Sequence, residues 1–167
     1  NFLDHRIKQG NAIVGLAHRE ELENGIPDEA FKKALPGDDK DILKTLRDKN
    51  RKERSERSKE AMQLKAQMEE LTTNSVKEAM EEYRIFNKLP ESTPDEIKRK
   101  ERAYRQFLDG KGYGFLKNMA DLQLAPFFIP KTDANKDKFM TDADYMRTLS
   151  GWEGLAPQKV AMAMVEA

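Results

Sequence analysis

The sequence predicts a mainly α fold: one long helix folded antiparallel onto further helices, with short helices at both ends. Three observations carry this expectation. Asp39 to Leu89 contains neither proline nor glycine, so nothing in it interrupts a helix. Thr93-Pro94-Asp95-Glu96 has the order of a capped helix start, with Thr93 as N-cap, Pro94 in the first turn and Glu96 reaching back. Hydrophobic residues make up 38% and charged residues 36% of the chain, a balance that suits helices with large exposed faces.

Taken in order, the first segment (residues 2–15) reads as a short extended piece, Arg6-Ile7-Lys8, followed by the turn pair Gly10-Asn11 and the apolar step Ala12-Ile13-Val14. Leu16 to Glu23 suits a short helix that Asn24-Gly25 would stop. Pro27 suits the first position of another helical turn through Phe31, and Pro36-Gly37 would end it. The long helix is expected over residues 39–89, opened by the acidic pair Asp38-Asp39. Its halves differ. Arg47 to Glu60 holds no apolar side chain, so this half should be solvated or laid against something charged. Leu64, Met68, Leu71, Val76, Met80, Tyr83 and Phe86 then form one face able to bury itself.

Return helices are expected over residues 94–125. Ile97, Tyr104, Phe107 and Leu108 form the apolar side of the first, which the short loop before it should turn back onto the aromatic end of the long helix. The glycines of 109–114 should bend or interrupt the second, leaving a buried segment from Phe115 to Ala125. Phe127-Phe128-Ile129 between two prolines reads as an apolar plug, and Lys131 to Lys138 as a polar loop. Terminal helices are expected over residues 141–167, with Thr141 capping one that ends before Gly151 and Pro157 opening the last. Asn1 is not an initiator Met and an apolar pattern is still running at Ala167, so both ends are expected to continue into a longer chain.

Composition narrows the function classes. Thirty basic side chains balance thirty acidic ones, so any nucleic-acid contact needs a local patch rather than a whole-chain field. Without cysteine there is no disulfide framework, thiolate metal site or cysteine nucleophile. No run is long and apolar enough to span a bilayer; the expectation is a cytoplasmic protein with no membrane partner. His5 and His18 lack the spacing of a helical zinc pair, and Gly110-x-Gly112-x-Gly114 lacks the Lys-Ser/Thr of a phosphate loop. No catalytic set and no metal site emerges.

One stretch suits binding. Between residues 47 and 60, seven cations face four anions. Arg47, Lys49, Arg51, Lys52, Arg54 and Arg57 are candidate contacts to a DNA backbone, because phosphates need only cations on a rigid exposed element. The interleaved acids dilute the local field and favour instead a solvated helix supported by ion pairs such as Glu53–Arg57 and Glu56–Lys59.

Three segments also carry a resemblance: residues 2–15 with Gly25-Ile26-Pro27-Asp28-Glu29-Ala30-Phe31, then Gly37-Asp38-Asp39-Lys40, then Ala120 to Pro130. Together they resemble segments of large adenine-specific DNA methyltransferases of bacterial restriction–modification and phage-defence systems. The likeness is densest over residues 2–40 and 116–130 and weakest through the long helix. It implies that residues 1–15 form an edge of the parent methyltransferase fold and residues 16–167 a helical insertion. It also implies that Asn11 lies beside the S-adenosylmethionine of the parent protein, although the family's Ser-Leu after that residue is Ala12-Ile13 here. The family's Asn-Pro-Pro-Tyr/Phe and glycine-rich motifs are absent from these 167 residues. The resemblance therefore implies a piece inactive alone, with no cofactor of its own, whose partners are the rest of the methyltransferase and, as a candidate, DNA. The alternative is a non-enzymatic helical scaffold that pairs with itself through the Leu64 to Phe86 face.

Overall fold

The computed structural model describes residues 18–32 and 34–150, with side chains for all of these except Arg19 and residues 58–67. Asn11, His5 and the expected edge segment 1–15 lie outside the described residues, as does the helix expected from Pro157. The described chain is helical and its helices pack on one another; it contains no strand. Helix α1 spans Lys40–Asn87, α2 Pro94–Leu108, α3 Lys111–Leu124 and α4 Asp142–Leu149. Short 3₁₀ turns cover Arg19–Asn24, Asp28–Phe31, Ala125–Phe127 and Lys136–Lys138. The chain divides into two compact units, whose described residues are 72–117 in the first and 18–32, 34–71 and 118–150 in the second.

In the first unit, the end of α1 and the whole of α2 run antiparallel. Phe86 meets Tyr104 at 5.2 Å between ring centroids while the earlier Tyr83 meets the later Phe107 at 5.7 Å. Phe86 and Tyr104 are buried, with Ile97, Ala103, Phe107 and Leu108 packed around them. Each fully buried ring stabilises by roughly 1.5–3 kcal/mol, so this cluster dominates the unit. The connection is fixed from both sides. Thr93 Oγ1 accepts from Glu96 N at 3.3 Å and Glu96 Oε2 accepts from Thr93 N at 3.0 Å, the reciprocal cap that the sequence predicts. Buried Lys100 then reaches Asn87 O and Glu91 Oε2, each at 3.4 Å.

Two expectations for this unit need correction. The glycine-rich stretch breaks the chain only at Asp109-Gly110, and α3 starts at Lys111 with Gly112 and Gly114 inside it. Gly112 is there for closeness: a Cβ would sit 2.6 Å from Ser75 O and 3.0 Å from Ala79 N, so only a glycine lets α3 approach α1 at this point. The buried face of α1 is consequently Thr72, Ala79 and Phe86, while Met80 and Tyr83, expected to be core, are 67% and 41% exposed. At Ala79 a small residue takes that face, because α3 meets the backbone of α1 there.

The second unit buries Leu22, Ile26, Phe31, Met119, Leu122, Ile129, Tyr145 and Leu149 as its core. The expected early helices are 3₁₀ turns, with Pro27 flanking its turn rather than opening it and Gly25 closing the first at φ 73°. Gly37, also at positive φ, turns the chain into α1, where Asp39 Oδ1 accepts from Asp41 N at 2.8 Å and Ile42 N at 3.1 Å. Of the apolar plug, Ile129 is buried but Phe128 is half exposed. Lys131, expected in a polar loop, is wholly buried: its Nζ donates to Pro126 O at 2.5 Å. Burial pushes its ammonium below the usual lysine range, against the pull of Asp38.

Candidate nucleic-acid interface

The start of α1 in the second unit carries the candidate contacts, and it has two faces of opposite use. The inward face is polar and makes a clamp. Asn50, fully buried, donates from Nδ2 to Ile26 O at 3.1 Å and Asp28 Oδ1 at 2.8 Å, while its Oδ1 accepts from Asp142 N at 2.9 Å. Arg54 Nη1 donates to Ile26 O at 2.6 Å. Arg57 spans Glu23 O and Asn24 O, both at 3.4 Å, and Met146 Sδ at 3.1 Å. Its Nη1 lies 3.5 Å from Asp142 Oδ1. Glu53 Oε2 accepts from Ala143 N at 2.9 Å.

The clamp corrects several expectations. The stretch without apolar side chains packs on one side, against backbone carbonyls and amides as well as the carboxylates of Asp28 and Asp142. Arg57 pairs with Asp142, not Glu53, which lies 3.7 Å from Lys49; Glu56 lies 3.9 Å from Lys52, and the side chain of Lys59, its expected partner, is outside the described residues. Thr141 makes no side-chain cap for α4. The first amides of α4 are capped instead by Asn50 and Glu53 from α1, a substitution no local pattern reveals.

Asp142 is the strained member of this group. It is fully buried, neither carboxylate oxygen has a hydrogen-bond partner, and its Oδ1 occupies the place where a Cβ on Gly25 would stand. Burial pushes its carboxyl above the ordinary range; the Arg57 and Arg54 guanidiniums pull it down, and Glu53 adds to the rise. Burial also raises the Tyr145 hydroxyl, with Asp142 contributing.

The outward face is separate. Of the six predicted contacts, Arg54 and Arg57 are held inward by the clamp, whereas Lys49, Arg51 and Lys52 are exposed and Arg47 is half-buried. Lys49 and Lys52 have their carboxylates on one flank, and Arg47 Nε lies 3.5 Å from Asp48 Oδ1. Lys40 and Lys44, not among the predicted contacts, are exposed on the same line as Arg47 and Arg51. At about 100° per residue these four fall within roughly 60° of one another, and Asp41, Asp48, Glu53 and Glu56 all lie about 40° or more outside that sector. Apart from the Arg47–Asp48 contact, the acids interleaved in sequence fall to the flanks of this line; placing residues 40–57 on a helical wheel would have found the stripe.

Asn11, the residue that the resemblance places beside S-adenosylmethionine, lies outside the described residues. No group of three or more His, Cys, Asp or Glu among the described residues is arranged to hold a metal, and no described helix is long and apolar enough to cross a membrane. No protein-family model, curated protein or solved structure matches the chain.

Proposed function

We propose that this chain is a non-catalytic helical insertion domain of an N6-adenine DNA methyltransferase of the restriction–modification or phage-defence kind. In this reading it braces the catalytic domain or touches the DNA backbone, while the methyl donor and the catalytic groups are held elsewhere in a longer cytoplasmic polypeptide. One observation supports the reading most. Two of the stretches that carry the resemblance, residues 25–40 and 120–130, are far apart in sequence and interlock in the second unit. Gln123 Nε2 donates to Glu21 O at 2.8 Å and Gly25 O at 2.7 Å. Asp38 Oδ1 accepts from Lys131 N at 2.7 Å while Asp39 N donates to Lys131 O at 2.9 Å. The 3₁₀ turns at Asp28–Phe31 and Ala125–Phe127 pack together. Segments bound to one another in this way would have to be kept together, which accounts for a likeness dense there and thin along the long helix.

The test is methyl transfer to adenine in duplex DNA, measured with labelled S-adenosylmethionine for the longer gene product and for the 167-residue chain. Activity only in the longer product is expected. Transfer by the isolated chain, or a longer product lacking any methyl-donor site, would overturn the proposal.

A second reading, a scaffold that pairs with itself, draws on the first unit. Val76, Met80, Tyr83, Phe107 and Leu116 line an apolar groove of about 900 Å³, and Met80 there is 67% exposed. Sedimentation equilibrium separates the two: a monomer at every concentration rules out self-pairing.

A further inference from the structure

We infer that Lys40, Lys44, Arg47 and Arg51 form the contact surface for the phosphate backbone of duplex DNA, in place of the broader cationic set that the sequence suggests. The inference rests on the methyltransferase reading for its biological setting but on geometry for its residues. The four cations follow one another at steps of four, three and four, so they line one side of α1 over roughly 16 Å. A duplex strand presents a phosphate about every 3.4 Å of axis, so a stripe of this length faces several.

Three further observations choose the occupant. Lys40, Lys44 and Arg51 are exposed and paired with no other described residue, so binding a phosphate would not first require breaking an ion pair. The helix beneath them is held by the directional clamp of Asn50, Arg54 and Arg57, which gives the cations a rigid base. The outward residues of this stretch, Lys40, Asp41, Lys44, Thr45, Asp48, Arg51, Lys52 and Ser55, include no apolar side chain. A membrane-surface helix needs an apolar face to bury and a protein partner needs aromatic or aliphatic anchors, so both fit poorly. Backbone contact needs neither, and it carries no sequence preference.

The experiment uses the whole 167-residue chain and a 20-base-pair duplex, with binding followed by fluorescence anisotropy from low to moderate salt. Lys40→Ala/Lys44→Ala/Arg51→Ala is compared with Lys98→Ala/Arg99→Ala/Arg102→Ala, which removes the same charge from α2, where Asp95 and Asp109 share the cationic side. All six positions are exposed, and circular dichroism confirms folding before binding is read. Removing three phosphate contacts should lower the slope of log K against log salt by about 2.7 and weaken binding at least about tenfold, equally for a scrambled duplex. The α2 variant should keep the parent slope. An unchanged slope in the α1 variant overturns the inference, as does absence of DNA binding at low salt. Adsorption to anionic phosphatidylserine vesicles that is lost in the α1 variant, with DNA binding intact, overturns it too. The two proposals fail separately: a reduced slope without methyl transfer by the longer product removes the enzyme and keeps the surface, and the converse removes the surface alone.

Discussion

Asn50→Ala tests the polar clamp most directly, and the structure allows its cost to be worked out bond by bond. The side chain makes three hydrogen bonds, and their losses are unequal. Ile26 O retains Arg54 Nη1 at 2.6 Å, and half-buried Asp28 can turn to water. The Asp142 N–H cannot, because that residue is fully buried and Thr141 offers it no cap. Leaving one buried donor unpaired costs about 1–3 kcal/mol, and losing the other bonds adds on the order of 1 kcal/mol. The vacated carboxamide volume adds roughly another 1 kcal/mol. The sum, about 3–5 kcal/mol, is a large share of the roughly 5–15 kcal/mol that holds a typical domain folded. Urea unfolding followed by circular dichroism reads it as a fall in midpoint at constant m-value. A loss below about 1 kcal/mol would refute the idea that Asn50 joins α4 and the Ile26 turn to α1.

Other perturbations probe separate links. Gly112→Ala should destabilise by about 1–2 kcal/mol on thermal unfolding, since its methyl meets Ser75 O at 2.6 Å. Gly114→Ala in the same helix, with nothing within 4 Å, should instead gain up to about 1 kcal/mol of helix propensity. Thr93→Ala should cost about 1 kcal/mol through the lost cap of α2, and an unchanged melting temperature would place the helix start elsewhere. Asp142 has its folded carboxyl raised, so it binds its proton more tightly when folded. The stability it contributes is complete below the ordinary aspartate range and is lost as pH rises through the raised value. Asp142→Asn should therefore flatten the pH dependence of the unfolding midpoint just above the ordinary carboxylate range, and an identical profile in both proteins would sink that assignment.

What the sequence discloses and what it conceals divide along one physical line. Helix existence follows local rules, so α1, α2 and α4 are legible from the absence of breakers, the Thr93–Glu96 box and the placing of Thr141 and Gly151 at the ends of the last. Which side of a helix is inside depends on long-range partners. Gly112 decides that Ala79 rather than Met80 is buried, and neither residue announces it. The candidate surface is half legible for the same reason. A cationic stretch shows in the sequence, but whether a given arginine faces water or a carbonyl depends on the Glu23–Ile26 turn, more than twenty residues away.

The clamp and the stripe are two consequences of one helix. A helix seated by an apolar seam can settle by rotating a few degrees, because dispersion contacts are not directional. One seated by hydrogen bonds cannot, since those bonds weaken steeply with misalignment. Asn50, Arg54 and Arg57 therefore fix the rotation of α1 about its axis, and with it the direction in which Lys40, Lys44 and Arg51 point. Asn50→Ala, studied where it remains folded, should then weaken duplex binding although Asn50 touches no phosphate. The salt slope should stay near the parent value, because the number of cations is unchanged. A weaker affinity at equal slope identifies a loss of alignment; parent affinity would show that the stripe needs no such seating.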